Sequence, residues 1–109
     1  MRLSLLAVSV ILTLFACSRG EYWQNIGPAG PVYGVAEIDH PEVPCAMQVL
    51  GCYTMGYVYL QKGLEPSLRL CVLRHEYRHA MGDQHPRFAV ESGYGVDCGD
   101  GTIMPGVVG

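Results

Sequence analysis

The sequence predicts an α+β domain in which one central helix packs on a short sheet of two to three strands, followed by an irregular C-terminal part. The segments 32–38 and 57–61 are rich in Val and Tyr, which is typical of short strands. The segment that begins at Pro66 contains no internal glycine for about four turns, which favours a helix. Six glycines follow between residues 93 and 109, which predicts loops and turns.

The predicted helix begins at Pro66, a residue suited to the first helical turn, and stops near Gly82, where a positive φ angle would end it. Apolar residues and histidines spaced i, i+4, i+7 and i+11 form one face. These residues are Leu68, Val72, His75 and His79. A second apolar stripe consists of Leu70, Leu73, Tyr77 and Ala80. Because a helix that is apolar on two sides is usually buried, we expect this one to be largely buried.

Residues 1–16 have the pattern of an export signal, with Arg2 followed by an uncharged apolar run. The run is too short to span a bilayer as a helix. Its end, LFAC, resembles the bacterial lipobox, which implies cleavage before Cys17 and a lipid anchor on that cysteine. A plain secretory signal is the alternative. Residues 17–31, with Gly, Pro and polar side chains, are expected to be a flexible tether, and 32–109 the folded domain.

The charge balance excludes one class of partner. The chain has seven basic and ten acidic residues and a formal net charge of −3. Such a chain lacks the basic surface that binding to nucleic acid requires, so we expect no nucleic-acid partner. The signal separately predicts a protein that is exported, either to the bacterial cell envelope with a membrane anchor or into the medium.

Four cysteines remain after the lipobox residue, and an even number in a small exported chain predicts two disulfide bonds. A cysteine-rich zinc site is less favoured because no C-x-x-C pair is present. Three connectivities are possible, and we expect Cys45–Cys52 as a local clip and Cys71–Cys98 as a link from the helix to the C-terminal tail. We expect a loop at 40–44, which contains two prolines, and a strand rather than a helical turn between Cys45 and Cys52.

The segment HEYRHAMGDQH contains three of the four histidines of the chain. Residues four apart on a helix lie about 6 Å apart along the axis and about 40° apart around it, so His75 and His79 can point at one ion. Gly82 allows the chain to turn back, and His85 can then supply a third nitrogen at the roughly 2.0–2.1 Å that zinc requires. Glu76 points about 100° away from His75 and can reach a water on the ion. The pattern predicts one zinc ion with three histidine ligands.

Weaker candidates accompany this set. Glu91 and Asp97 are alternative third ligands, because a carboxylate can replace a histidine in such sites. Tyr94 is a candidate for stabilising an oxyanion. The strand 57–61 is either an exposed edge that pairs with an extended peptide or an ordinary core strand.

The histidine segment resembles the H-E-x-x-H-x-x-G-x-x-H signature of the metzincin zinc metallopeptidases at all five fixed positions. The resemblance implies that His75, His79 and His85 are zinc ligands and that Glu76 is the catalytic general base. Metzincins also place a methionine in a tight turn beneath the metal, and Met104 in GTIMPG is the candidate for it. The resemblance covers about thirty residues. Since metzincin domains normally have a larger sheet, this chain resembles a minimal or degenerate member.

The expected function is therefore zinc-dependent hydrolysis of peptide bonds in a peptide or protein substrate. The alternative is a non-catalytic envelope lipoprotein in which a structural zinc site and disulfides stabilise a small core. The bacterial rRNA-maturation endonucleases share the three-histidine spacing but have glycine after the first histidine. This chain has Glu76 there, which argues against a nuclease.

Overall fold

A computed structural model of the chain describes residues 23–85 and 95–109. The predicted signal 1–16, the lipidation candidate Cys17, Glu91 and Tyr94 lie outside the described residues. The described part contains two helices and seven short strands, and its C-terminal part is largely irregular. The predicted α+β class is confirmed.

The largest sheet has three strands: β2 (Gly34–Ile38), β3 (Gly51–Thr54) and β4 (Tyr57–Gln61). β4 lies in the centre, parallel to β2 and antiparallel to β3. The strand predicted at 57–61 therefore has the predicted bounds, but the interpretation of it as an exposed edge is wrong. Its backbone groups pair with neighbours on both sides, so an extended peptide cannot add to it.

Two very short ribbons flank this sheet. β1 (Gln24–Asn25) pairs with β5 (Asp83–Gln84), and β6 (Val96–Asp97) pairs with β7 (Ile103–Met104), both antiparallel. β1 lies inside the segment that the sequence predicts to be a flexible tether. Because its backbone pairs with the chain just after the long helix, this part of the segment belongs to the folded domain.

The long helix, α2 (Pro66–Ala80), has the predicted start. Its Glu65 cap accepts hydrogen bonds from the backbone amides of Ser67 (3.1 Å) and Leu68 (3.2 Å), and these bonds lower the pKa of Glu65. Both amides are among the four that a helix start leaves without intrahelical partners. Pro66 occupies the first helical turn, where its missing N–H is not needed.

Gly82 ends the helix with a φ of +98°, as its position in the sequence predicts. A Cβ at this residue would overlap the carbonyl of Gly27, so the strand segment that carries β1 crosses directly over it. The Ile26 amide donates to the Gly82 carbonyl (3.0 Å) and the Ala29 amide donates to the Ala80 carbonyl (3.2 Å). Only glycine combines this φ angle with this close backbone approach.

The hydrophobic core lies between α2 and the three-stranded sheet. Its buried members are Val58, Leu60, Cys71, Val72, Val96, Cys98 and Val108. The second apolar stripe of α2 is buried only in part: Ala80 is buried, but Leu70 is 45% exposed and Tyr77 is 41% exposed. The three-stranded sheet lies against Val72, and the short strands β5 and β6 contact the helix as well.

Both predicted disulfides are confirmed, with Cα–Cα distances of 5.8 Å for Cys45–Cys52 and 4.4 Å for Cys71–Cys98. The strand predicted between Cys45 and Cys52 is wrong for most of its length. Helix α1 (Glu42–Cys45) occupies most of the predicted loop 40–44, and Ala46 follows with a φ of 58°. A continuous strand would separate the two cysteines by about 23 Å, at about 3.3 Å per residue, which is incompatible with the disulfide.

Neither helix in the part of the chain that the structure describes has the length and the apolar character needed to cross a membrane.

Candidate metal centre

The structure brings the three predicted histidines together. His75 and His79 come from the last turns of α2, and His85 follows β5 after the turn at Gly82. One nitrogen of each ring lies within 4.8 Å of the other two, and the Nε2 atoms of His75 and His85 are 3.0 Å apart. The predicted geometric condition for a shared metal ion is therefore met.

Backbone carbonyls fix the orientation of the two helical histidines. Nδ1 of His75 lies 2.6 Å from the carbonyl oxygen of Asp97, and Nδ1 of His79 lies 2.8 Å from that of Asp83. Because a carbonyl oxygen only accepts hydrogen bonds, each Nδ1 must carry the proton. In a neutral ring, Nε2 then presents a lone pair to the centre of the cluster, as in metal-binding histidines.

Burial keeps these rings neutral. It lowers the pKa of His75 to about 3, although the contact with the Asp97 carbonyl works in the opposite direction. The pKa of His79 is also lowered, first by burial and then by the neighbouring His85. Neutral imidazole is the form that binds metal ions, so these two nitrogens need no deprotonation at neutral pH.

Glu76 is completely buried next to the cluster, with its Oε1 3.8 Å from Nε2 of His79. Among the described residues, neither carboxylate oxygen has a hydrogen-bond partner. Burial raises the pKa of Glu76 well above its usual value; the backbone of Tyr53 offsets part of this effect without reaching hydrogen-bonding geometry. An isolated buried carboxylate is costly, and a nearby cation would compensate that cost.

Two features that the sequence does not predict hold the orienting carbonyls in place. The Asp83 side chain accepts hydrogen bonds from Asn25 and Arg78, both at 2.9 Å, and these contacts lower its pKa, the one from Asn25 most strongly. Asp97 follows the same pattern on the other side, where its Oδ1 accepts from the Gly99 amide at 2.8 Å. Asp97 therefore contributes its carbonyl, and the interpretation of its carboxylate as a third ligand is wrong, since His85 completes the group.

The Trp23 ring lies against all three histidines. Its centroid is 4.9 Å from the His75 ring, 5.4 Å from the His79 ring and 5.2 Å from the His85 ring. The Arg78 guanidinium stacks on the same indole at 4.4 Å. Trp23 precedes β1 in the predicted tether, and no periodicity marks it in the sequence. This residue joins the N-terminal segment to the cluster.

A main-chain oxygen completes the surroundings. The carbonyl oxygen of Gly109 lies 3.1 Å from Nε2 of His75 and 3.0 Å from Nε2 of His79. A cavity of about 370 Å³ opens beside it and is also lined by Met47, Gln84 and His85. The cluster is thus accessible from one side, next to the C-terminal segment.

Met104, the candidate for a methionine turn, lies in β7, where it pairs with Val96 and packs partly buried against the core. Its assignment to a turn beneath a metal stays a prediction. The fourth histidine, His40, is exposed and lies 3.0 Å from Glu42, away from the cluster.

No protein-family model, curated protein or solved structure matches this chain. The resemblance to metzincins therefore depends on the motif residues alone, and the assignments below depend on the chemistry of the site.

Proposed function

We propose that this protein is a small zinc-dependent peptidase that hydrolyses peptide bonds. The observation that carries the proposal is Glu76, a fully buried carboxyl group beside the cluster of three histidines. A site that serves only to crosslink the chain has no use for such a carboxylate, whereas strongly perturbed acids beside a metal are typical of catalytic sites.

The donor set suits zinc. Three imidazole nitrogens can hold Zn, Cu, Ni or Fe, and zinc is the ion that most often combines three protein ligands with hydrolysis. When bound, zinc polarises a carbonyl and makes water acidic enough to lose a proton near neutral pH. His75, His79 and His85 would hold the ion through their inward-facing nitrogens.

Each residue around the cluster would then have a separate role in hydrolysis. The buried Glu76 carboxylate takes a proton from the attacking water on one of its oxygens and returns it to the amide nitrogen of the leaving group. The Asp97 and Asp83 carbonyls keep the His75 and His79 rings in the required tautomer. Trp23 lies against the cluster and limits the access of bulk water on its side.

The motif supports a metzincin-like mode of action in a minimal domain, acting on a peptide or protein substrate. The two disulfides suit an oxidising compartment, so we also propose that the protein works after export, in the bacterial cell envelope or outside the cell. A lipid on Cys17 would anchor it to a membrane. Metabolic labelling with a radioactive fatty acid, compared between the natural chain and Cys17→Ala, tests the anchor.

One observation favours the second candidate, a non-catalytic lipoprotein with a structural zinc site. The Gly109 oxygen lies where a fourth ligand would bind, and structural zinc sites have four protein ligands while catalytic sites keep one position for water. The role of Glu76 separates the two candidates.

The experiment compares metal-loaded natural protein with Glu76→Gln in the cleavage of an unfolded protein such as casein. Glu37→Gln is the matched control, because Glu37 is exposed and belongs to a surface ion pair with Arg69. We expect Glu76→Gln to lose about 10²–10⁴-fold in rate while its zinc content stays unchanged, and Glu37→Gln to keep full activity. Equal rates in the natural protein and Glu76→Gln, including the absence of cleavage in both, would leave the structural site as the better explanation.

A further inference from the structure

The position of Gly109 raises a problem of hydrogen-bond chemistry. Its carbonyl oxygen is 3.1 Å from Nε2 of His75 and 3.0 Å from Nε2 of His79, distances typical of a hydrogen bond. However, a hydrogen bond needs a proton between the two atoms. Both rings already carry their proton on Nδ1, which donates to a carbonyl on the other side.

In the neutral rings, three lone pairs therefore meet without a hydrogen between them. The Nε2 atoms of His75 and His79 and the oxygen of Gly109 are all acceptors, and acceptors at this distance repel one another. The Nε2 atoms of His75 and His85 also lie 3.0 Å apart. A cation at the centre turns the contacts of the Gly109 oxygen with His75 and His79 from repulsive to attractive.

Three of the six distances among these four atoms are close to those expected around one ion, and the three histidine nitrogens all lie within 4.8 Å of one another. A zinc ion at about 2.0–2.1 Å from each donor places neighbouring donors of a tetrahedron about 3.3–3.4 Å apart. The three short distances in the cluster, between 3.0 and 3.1 Å, differ from this by a few tenths of an ångström.

We propose that the main-chain oxygen of Gly109 is a fourth, displaceable ligand of the metal held by His75, His79 and His85. It occupies the position that an external oxygen ligand, such as a peptide carbonyl or a hydroxamate, would take. This inference rests on the metal site of the proposed function. It adds that the chain occupies its own substrate position at rest.

The attachment of the C-terminal segment explains how the ligand can be both present and displaceable. The Leu50 amide donates to the Val107 carbonyl at 2.7 Å, and Val108 is 1% exposed within the core. Beyond this anchor, the Gly109 amide donates to the Gly51 carbonyl at 2.9 Å. The core therefore fixes Val108, and the hydrogen bond from the Gly109 amide holds this residue against β3.

The cavity beside Gly109 offers space for a competing ligand. It measures about 370 Å³ and borders both His79 and His85, so a ligand that enters it meets the metal position from the side of the Gly109 oxygen. An external ligand must first displace that oxygen. Its apparent affinity is then lowered by the fraction of molecules in which Gly109 has left the metal.

The test uses the full mature chain loaded with Co²⁺, a metal with visible absorption, and acetohydroxamate as the probe ligand. In Gly109→Val, the added Cβ would lie 3.0 Å from Cβ of Cys52, so residue 109 and the edge of β3 must separate by a few tenths of an ångström. Gly34→Val is the matched control, because there the new Cβ makes an ordinary contact of 3.5 Å with Tyr57 in a strand.

We expect Gly109→Val to change the Co²⁺ absorption spectrum and to bind acetohydroxamate at least about tenfold more tightly than the natural protein. A tenfold difference corresponds to natural protein in which the Gly109 oxygen has left the metal in about a tenth of the molecules. Gly34→Val should match the natural protein in both measurements. A spectrum and an affinity that are the same in all three proteins would overturn the proposal while leaving the metal site intact. Failure of the natural protein to take up Co²⁺ would overturn both.

A second measurement needs no substitution and does not depend on how Gly109→Val folds. In natural protein labelled with ¹³C at glycine carbonyl carbons, coordination to Co²⁺ shifts the resonance of the bound carbonyl far more than those of other glycines. We expect one strongly shifted resonance, which reverts on addition of acetohydroxamate. Uniformly small shifts with Co²⁺ bound would show that Gly109 is not a ligand, whatever the result of the casein assay.

Discussion

Substitution of Glu76 by Gln changes how the stability of the metal-free protein depends on pH. Burial raises the pKa of Glu76 above its value in the unfolded chain, about 4.3. The folded state therefore keeps a proton that the unfolded state releases. The stabilising contribution is complete below about pH 4.3 and is lost as the pH rises toward the folded pKa, by about 1.4 kcal/mol per pH unit.

The buried histidines act in the opposite direction. Burial lowers the pKa of His75 to about 3 and also lowers that of His79, so below about pH 6.5 the unfolded chain binds more protons at these positions. Stability then rises with pH, by up to about 1.4 kcal/mol per unit for each ring, until the unfolded rings are neutral at about pH 6.5. Above that pH only the effect of Glu76 remains.

The natural protein without metal should therefore be most stable near pH 6.5 and lose stability at higher pH, while Glu76→Gln should reach a plateau. Between pH 5 and pH 6, the natural protein should lose up to about 1.4 kcal/mol of unfolding free energy relative to Glu76→Gln. Urea unfolding with a chelator present and the disulfides intact measures this. Trp23, the only tryptophan, is the fluorescent probe because it packs on the histidines. Glu37→Gln is the control and should follow the natural protein at every pH. If the unfolding free energies of the natural protein and Glu76→Gln differ by a constant amount from pH 5 to pH 8, the pKa of Glu76 is not raised by burial and the reasoning is refuted.

Three further substitutions test the histidine cluster and the glycine and disulfide that hold the surrounding chain in place. His85→Ala should reduce zinc from near one ion per chain to a small fraction, while His40→Ala, far from the cluster, should keep it; equal metal content by mass spectrometry would contradict the three-histidine site. Gly82→Ala should lower the unfolding free energy by at least about 1–3 kcal/mol, because the overlap of the new Cβ with the Gly27 carbonyl adds to the backbone strain; an unchanged urea midpoint would contradict the close approach. The double change Cys71→Ser with Cys98→Ser should lower the unfolding free energy by about 3–4 kcal/mol. It should also weaken metal binding about 10–100-fold, because the Asp97 carbonyl that orients His75 is held less firmly. An unaltered metal affinity would show that the disulfide does not support the site.

The grouping of the histidines could be predicted because it follows from local geometry. Four-residue spacing on a helix sets His75 beside His79, and a glycine at the helix end permits the reversal that brings in His85. Gly82 also meets the Gly27 carbonyl, a long-range contact. The sequence indicates that Gly82 can adopt a positive φ angle, but it does not identify Gly27, whose close approach excludes any side chain at residue 82.

The groups that orient the rings could not be predicted, because they are backbone atoms. Every residue has a carbonyl, so nothing in the sequence distinguishes those of Asp83, Asp97 and Gly109 from others. Trp23 escaped prediction for a similar reason: it follows no periodic pattern, and its position depends on the pairing of β1 with β5. Such contacts arise from tertiary structure, which short-range patterns do not describe.

The segment between Cys45 and Cys52 shows how two predictions from one sequence can exclude each other. The residues favour a strand weakly, whereas the cysteines require that the ends of the segment meet. A covalent constraint outweighs a weak local preference, since a strand of this length spans about 23 Å and a disulfide bridges less than about 7 Å. The result is a short helix, a residue with positive φ and a strand that begins only at Gly51.

The same contacts that suit a metal weaken the fold without one. The metal-free centre contains mutually repelling lone pairs on His75, His79 and Gly109 and the buried carboxyl group of Glu76, whose oxygens have no hydrogen-bond partner among the described residues, in a domain with a small core. A metal ion that binds only the folded state raises the unfolding free energy by about 2.7 kcal/mol when its free concentration is a hundred times its dissociation constant. We therefore expect metal binding and folding to be coupled in this protein. If, as we propose, an external ligand displaces the Gly109 oxygen, the three imidazoles and their orienting carbonyls must stay in place. The burial of Val108 supports this requirement, because it fixes the segment next to Gly109 in the core.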